Sequence, residues 1–142
     1  MLRKFVFILV LTCYSALNLA AQDGVLGKWV TIDDETGKRK SLVEIYKQGD
    51  EVFGKIIELY NPSTPNPVCG KCSDDRADQP IMNMQIIRHM KLKDDGTTWG
   101  NGKILDPEKG REYGCTLWVE DGDLKVKGWI GFLSRTQTWV RQ

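Results

Sequence analysis

Most apolar runs in this chain are short, alternate with polar residues and end in a polar turn that contains glycine. Alternation with a period of two indicates strands whose side chains point to two opposite faces, and such turns join antiparallel neighbours. About eight strands can be read in this way from Leu26 onwards. The pattern predicts an all-β chain built from consecutive hairpins.

Strand register can be predicted from the turns. A two-residue turn at Asp121-Gly122 favours positive φ and makes one face of its hairpin apolar throughout. On that face it pairs Val119 with Leu124, Leu117 with Val126, Cys115 with Gly128 and Tyr113 with Ile130; on the other it pairs Trp118 with Lys125, Thr116 with Lys127 and Gly114 with Trp129.

Two further hairpins, with turns at residues 107–110 and at Gly49-Asp50, also place apolar residues opposite one another on one face. They predict Ile104 opposite Tyr113, Gly102 opposite Cys115, Trp99 opposite Trp118, Val43 opposite Ile56, Ile45 opposite Gly54, Glu44 opposite Lys55 and Tyr46 opposite Phe53. The first hairpin, around Thr36-Gly37, leaves Trp29 unassigned. We interpret residues 81–92 as strand, with a helix as the alternative.

A meander with one aliphatic face must bury that face, and closure also removes unpaired strand edges. We therefore predict a single antiparallel up-and-down barrel of about eight strands. A two-sheet sandwich is the alternative.

The N-terminus has the features of a secretory signal peptide. Arg3 and Lys4 precede an apolar run from Phe5 to Leu11, and small residues lead to Ala21. We expect residues 1–21 to be cleaved, leaving one domain at residues 22–142 and a periplasmic or extracellular protein. Lipidation at Cys13 is disfavoured, because Val10-Leu11-Thr12 lacks the small residue expected beside the cysteine.

Loss of the two leader cations changes the formal net charge from +1 to −1, which argues against a nucleic-acid partner. The apolar run of the leader is too short to span a bilayer, and no second such run appears downstream. The only histidine is His89, and the chain has no serine nucleophile motif or phosphate-binding glycine loop. An enzyme is therefore the less favoured class, no cofactor is predicted, and the oligomeric state is left undefined.

Cys69-Gly70-Lys71-Cys72 is the one motif that suggests chemistry. A structural disulfide is the favoured interpretation in an oxidising compartment. A redox-active pair and a metal site are alternatives, but the flanking residues resemble a loop rather than a helix N-terminus, and further ligands at suitable spacing are not evident. The third mature cysteine, Cys115, is predicted to be a buried free thiol, with pairing to a loop cysteine as the alternative.

Indoles and lysines share the second face of the predicted sheet. The candidate ligand-binding residues are Trp99, Trp118, Trp129, Lys125 and Lys127, with Lys103 between them and Trp139 as a further member. Indoles can stack on an apolar ligand while lysines meet an acidic group. The alternative is that these indoles pack against a loop or against residues 81–92.

An ordered series of motifs is similar to a known family. It includes Asp33-Asp34, Thr36-Gly37-Lys38, Asn66-Pro67 with Cys69 and Cys72, Gly102-Lys103-Ile104, and Arg135-Thr136-Gln137-Thr138-Trp139. The mature chain resembles the exported bacterial domain-of-unknown-function family 2147, with Asn83 where that pattern has glycine. The resemblance implies the fold and export but no activity. Gly27-Lys28-Trp29, with Arg135 or Arg141, also resembles lipocalin-type barrels, in which an arginine near the end packs on that tryptophan.

The leading hypothesis is a cell-envelope protein that binds a small apolar or amphiphilic molecule. The alternatives are a thiol-redox protein using Cys69 and Cys72, and a structural or protein-interaction module of the envelope.

Overall fold

A computed structural model describes residues 24–142 of the protein. The predicted leader, residues 1–21 with Cys13, and the cleavage site lie outside these described residues. The strands are β1 (Gly27–Ile32), β2 (Arg39–Gln48), β3 (Glu51–Leu59), β4 (Gln85–Leu92), β5 (Trp99–Asp106), β6 (Arg111–Glu120), β7 (Asp123–Ile130) and β8 (Leu133–Arg141).

The eight strands form a closed antiparallel barrel in sequence order. Closure is made by β1 and β8, where Trp29 pairs with Arg141 and Val30 with Val140. A sheet closed in this way has no free edge, which excludes the sandwich alternative. The predicted barrel is confirmed. Of the predicted strand at residues 81–92, residues 85–92 are strand rather than helix, whereas residues 81–84 belong to the preceding loop.

The predicted registers are confirmed in two hairpins along the observed ladders. The β2–β3 hairpin has all four predicted pairs, including Val43 with Ile56. The β6–β7 ladder has six of the seven predicted pairs and ends at Gly114–Trp129, one pair short of the predicted Tyr113–Ile130. Turn chemistry therefore set these registers, since Gly49 and Gly122 both adopt positive φ.

The predicted pairing of Trp99 with Trp118 is wrong. Ile104–Tyr113 and Gly102–Cys115 pair as expected, but Trp99 lies opposite Leu117 because β5 has one extra residue between Trp99 and Gly102. Asn101 adopts a φ of 59° inside this bulge. Because the extra residue shifts the alternation of β5, Trp99, which precedes the bulge, shares the inner face with Leu117 and packs against the core.

The aliphatic face lines the interior. Leu117, Leu124 and Val126 are at most 3% exposed, as are Val43 and Ile45 on the opposite side of the barrel. The face that carries Trp118, Lys125 and Lys127 is consequently the outer one.

The two barrel ends differ. The terminal end carries the chain termini and the β2–β3, β4–β5 and β6–β7 turns, whereas the cap end carries the other four connections. One of these is the cap loop, residues 60–84, in which the side chains of Cys69, Ile81 and Met84 pack into the core. Asn83 in this loop has a φ of 64°, a left-handed conformation that glycine adopts most readily and asparagine tolerates.

Candidate functional site

The outer surface of β6, β7 and β8 contains a shallow cleft near the cap end. Its volume is about 360 Å³, and it is lined by Thr116, Lys127, Trp129, Gly131, Phe132 and Ser134. We call this the Trp129 cleft. It combines an indole, a phenyl ring, an ammonium group and two hydroxyl groups, which suits a ligand with both an apolar and an acidic part.

Trp129 is held in the cleft by its position across from Gly114. A side-chain Cβ at Gly114 would overlap the Trp129 indole at Cε2, Nε1 and Cζ2, so glycine is required for the ring to lie flat on β6. The indole remains half-buried, which leaves part of its surface open to the cleft. Lys127, two residues earlier on the same face, is exposed.

Trp118 and Lys125 form a separate location on the outer face. Trp118 lies four residues from Gly114 along β6, or about 13 Å at the usual rise per residue. Its indole Nε1 donates a 3.4 Å hydrogen bond to Glu120, and Lys125 donates one of 2.7 Å to Thr138. These two predicted site residues thus have partners of their own outside the Trp129 cleft.

Two tryptophans predicted for this outer face lie inside the barrel. Trp99 packs against the core as a result of the β5 bulge, and Trp139, opposite Leu124, is 2% exposed. The predicted aromatic face is therefore corrected: the structure brings together Trp129 and Lys127, leaves Trp118 and Lys125 apart from them, and removes Trp99 and Trp139.

The interior of the barrel is filled by apolar side chains. The largest side chains under 2% exposed are Trp29, Ile45, Ile87, Met90, Leu117 and Leu124. Its buried hydroxyl groups, Thr31 and Ser41, bond each other at 2.7 Å. Within residues 24–142 the only buried side-chain polar atom without a partner is Arg88 Nε, so the interior presents no free polar atom to an acidic headgroup.

The terminal end is closed by Trp29 and Arg141. The Arg141 guanidinium lies 4.1 Å from the Trp29 ring centroid, and it donates hydrogen bonds of 3.1 and 3.4 Å to the Gly24 and Leu26 carbonyls. The Trp29 indole donates to the Val25 carbonyl at 2.9 Å. Arg141, not Arg135, is thus the arginine that packs on this tryptophan.

The cap loop closes the opposite end. Arg76, only 3% exposed, donates to Asp74 at 2.5 Å, to Glu112 on β6 at 2.6 Å and to the Gln85 carbonyl at 2.9 Å. The hydrogen bonds from Arg76 lower the pKa of Asp74 to about 2. A second arginine, Arg88, makes a two-pronged pair with Asp75, both distances being 2.8 Å. These contacts tie the loop to β4 and β6.

Cys69 and Cys72 form a disulfide in the cap loop, as predicted. Cys69 is fully buried, and the motif lies in a loop with no helix N-terminus to activate a thiol. In the part of the chain that the structure describes, no group of three or more His, Cys, Asp or Glu side chains is arranged around a metal position. Cys115 is a buried free thiol, and desolvation raises its pKa to about 12. The Cys69–Cys72 disulfide accordingly has the features of a structural cross-link.

Phe132 was missed by sequence reasoning, as were Arg76 and its partners. The signal for Phe132 was present, because Ile130-Gly131-Phe132-Leu133 is an apolar turn where polar residues are usual. The Arg76 network had no such signal, since its contact with Glu112 joins residues that are 36 positions apart in the sequence.

An eight-stranded up-and-down barrel with an arginine stacked on the tryptophan of its first strand has lipocalin-type architecture. The family model described as "Uncharacterized protein conserved in bacteria (DUF2147)" matches residues 27–141, and the chain belongs to this family. The predicted resemblance is thereby confirmed.

One similar solved structure is that of protein HP1028 from the human pathogen Helicobacter pylori, which is described as belonging to the lipocalin family. It is 16% identical, with a TM-score of 0.70 and 82% of each chain covered, so the likeness is one of fold. A search of curated proteins finds no match. Within the described residues, no helix has the length and apolar character needed to cross a bilayer.

Proposed function

We propose that this protein is exported to the cell envelope and binds a small amphiphile, with an apolar chain and an acidic head, in the Trp129 cleft. The observation that carries the proposal is the meeting of Trp129, Phe132 and Lys127 around one cleft on the outer surface. The indole and phenyl rings supply apolar area for the chain, while Lys127 supplies a cation for the head.

Binding on the outer surface is favoured over binding inside the barrel for two reasons. The interior is occupied by side chains such as Trp29, Met90 and Leu117, each under 2% exposed. Both ends are also blocked, one by the Arg141–Trp29 stack and the other by the cap loop. A ligand in the interior would have to displace packed side chains, which is costly.

Lys127 is the cation best placed to select an acidic head. It has no carboxylate within 4 Å among residues 24–142, whereas Lys125 donates to Thr138 and Arg135 pairs with Asp34. An exposed ammonium group without a partner contributes its charge to a ligand at little desolvation cost.

The test is a binding titration with a monoacyl phosphatidylglycerol below its critical micelle concentration. Trp129→Ala should weaken binding about tenfold, since an apolar contact of this size is worth roughly 1.4 kcal/mol. Lys127→Gln should weaken it about threefold, with the effect diminishing at high salt.

Trp118→Ala and Lys125→Gln are matched controls on the same outer face and should leave the affinity unchanged. Equal losses in all four variants, or no binding by the unaltered protein, would contradict the proposed site.

Export is tested separately. Protein from the envelope fraction of its own host should lack residues 1–21 and carry one disulfide by intact mass. A cytoplasmic protein that retains Arg3 and Lys4 would refute this part of the proposal.

A further inference from the structure

The exposed large apolar side chains of the described residues are concentrated at the cap end. Of the six that the structure describes, Leu92 lies at the terminal end, and the other five lie on cap-end connections or strand ends. These five are Val68, Met82, Ile130, Phe132 and Leu133. Scattered exposed apolar residues need no explanation, but a collection at one end indicates an interaction surface.

The β7–β8 turn carries the two most exposed of these five side chains. Phe132 is 97% exposed and Leu133 64%, and Ile130 across the turn is 49% exposed. Gly131 has a φ of 57°, which allows the turn to reverse within two residues. The apolar side chains therefore project from the barrel at a narrow convex tip, with Trp129 and its cleft directly behind them.

Two exposed cations lie on the strands beside this tip, Lys127 in the Trp129 cleft and Arg111 at the cap end of β6. Both side chains are exposed, and neither has a carboxylate within 4 Å in the described chain. The ion pairs of this region are made by Arg76 and Arg135 instead. Arg135 pairs with Asp34 at 2.6 Å, and the carboxylate of Glu112 is taken by Arg76. The uncompensated charge beside Phe132 is thus cationic, which complements an anionic surface.

We propose that the β7–β8 tip docks on an anionic lipid bilayer. Phe132 and Leu133 enter the boundary between headgroups and acyl chains, Trp129 lies at headgroup level, and Lys127 and Arg111 contact lipid phosphates. This inference rests on the proposed function, because it identifies the amphiphile as a lipid of an intact membrane.

A membrane fits this surface better than a protein partner does. Three apolar side chains at a turn offer a few hundred Å², well below the roughly 800 Å² that each partner contributes to a stable protein interface. The tip is also convex, whereas a bilayer accepts a small apolar projection flanked by cations without a preformed pocket.

The experiment is co-sedimentation of the mature protein, residues 22–142, with large vesicles of equimolar phosphatidylglycerol and phosphatidylcholine, compared with vesicles of phosphatidylcholine alone. We expect binding to the anionic vesicles, reduced by high salt and much weaker on the neutral ones. Phe132→Ser should lower the partition coefficient about tenfold. Phe132 is 97% exposed, so its replacement should leave folding intact.

Leu92→Ser is the matched control, because Leu92 is an exposed apolar residue of the opposite end. It should bind vesicles like the unaltered protein. Equal binding by the Phe132→Ser variant, a greater loss in the Leu92→Ser variant, or absence of vesicle binding would overturn the inference. Tip-dependent binding to another protein without vesicle binding would overturn it as well.

The two proposals fail in different ways. If the monoacyl lipid binds in the Trp129 cleft but vesicles do not, the membrane inference is wrong and the proposed function stands. If vesicles bind through Phe132 but the Trp129→Ala substitution does not change the affinity for the monoacyl lipid, the proposed binding site in the Trp129 cleft is wrong.

Discussion

Replacing Gly114 with alanine places a methyl group in the space on β6 that the Trp129 indole occupies. The new methyl group would overlap the indole, which must then swing away from the strand. Because the ring is at the surface, it can move without disturbing the interior. The Trp129 cleft should therefore lose its shape while the barrel remains folded.

The magnitude follows from the contact that is lost. Separating the indole from β6 exposes about 60 Å² of apolar surface, which at roughly 25 cal/mol/Å² costs about 1.5 kcal/mol. Alanine in a strand recovers about 0.5 kcal/mol of this, because glycine loses more conformational entropy on folding. We expect the free energy of unfolding to fall by about 1 kcal/mol.

Urea unfolding measures the stability, and the indole N–H signal of Trp129 in a nitrogen-15 correlation spectrum reports the position of the ring. Gly128→Ala is the matched control, since a Cβ there lies 3.6 Å from Tyr113 Cβ, an ordinary contact. An unchanged Trp129 signal and unchanged stability in the Gly114→Ala variant would refute the packing argument.

Three further predictions concern the cap loop and the buried thiol. Arg76→Met should lower the free energy of unfolding by about 2 kcal/mol in urea titrations, because a buried network is broken, whereas exposed Arg39→Met should change little. The pKa of Asp74 is about 2 when folded and 3.8 ordinarily, so its stabilisation is complete above pH 3.8 and is lost as the pH falls towards 2. The lowered pKa should contribute about 1 kcal/mol to the free energy of unfolding, because solvent screens a side chain that is 42% exposed. The Asp74→Asn variant should lose this contribution and show a correspondingly smaller fall in stability between pH 4 and pH 2. In a Cys13→Ser chain, Cys115 should not react with a thiol reagent at pH 8 until the protein unfolds; rapid reaction when folded would contradict its burial.

Hairpin registers were predictable because turn residues act locally. Gly49 and Gly122 adopt the positive φ that tight turns require, and the position of each turn then defines a single register for the flanking residues. The β5 register was not predictable in the same way. Asn101 adopts a left-handed φ inside a strand, and the alternation of apolar and polar residues in β5 does not mark the bulge that turns Trp99 inward.

The site was predicted only in part, for a related reason. Alternation shows that two faces exist, and closure of the barrel decides which is inside. Trp129 and Lys127 could be placed together from the hairpin alone, whereas the burial of Trp139 required the position of β8 against β7. Arg76 joins Glu112 across 36 residues, a contact that no local pattern encodes.

The most direct test of the central claim is a titration of the nitrogen-15-labelled protein with monoacyl phosphatidylglycerol, followed at the five indole N–H signals. Binding in the outer cleft predicts a progressive shift of the Trp129 signal while the Trp29 and Trp139 signals of the interior remain in place. Shifts confined to Trp29 and Trp139 would place the ligand inside the barrel and contradict the account, and the absence of any shift would contradict it equally.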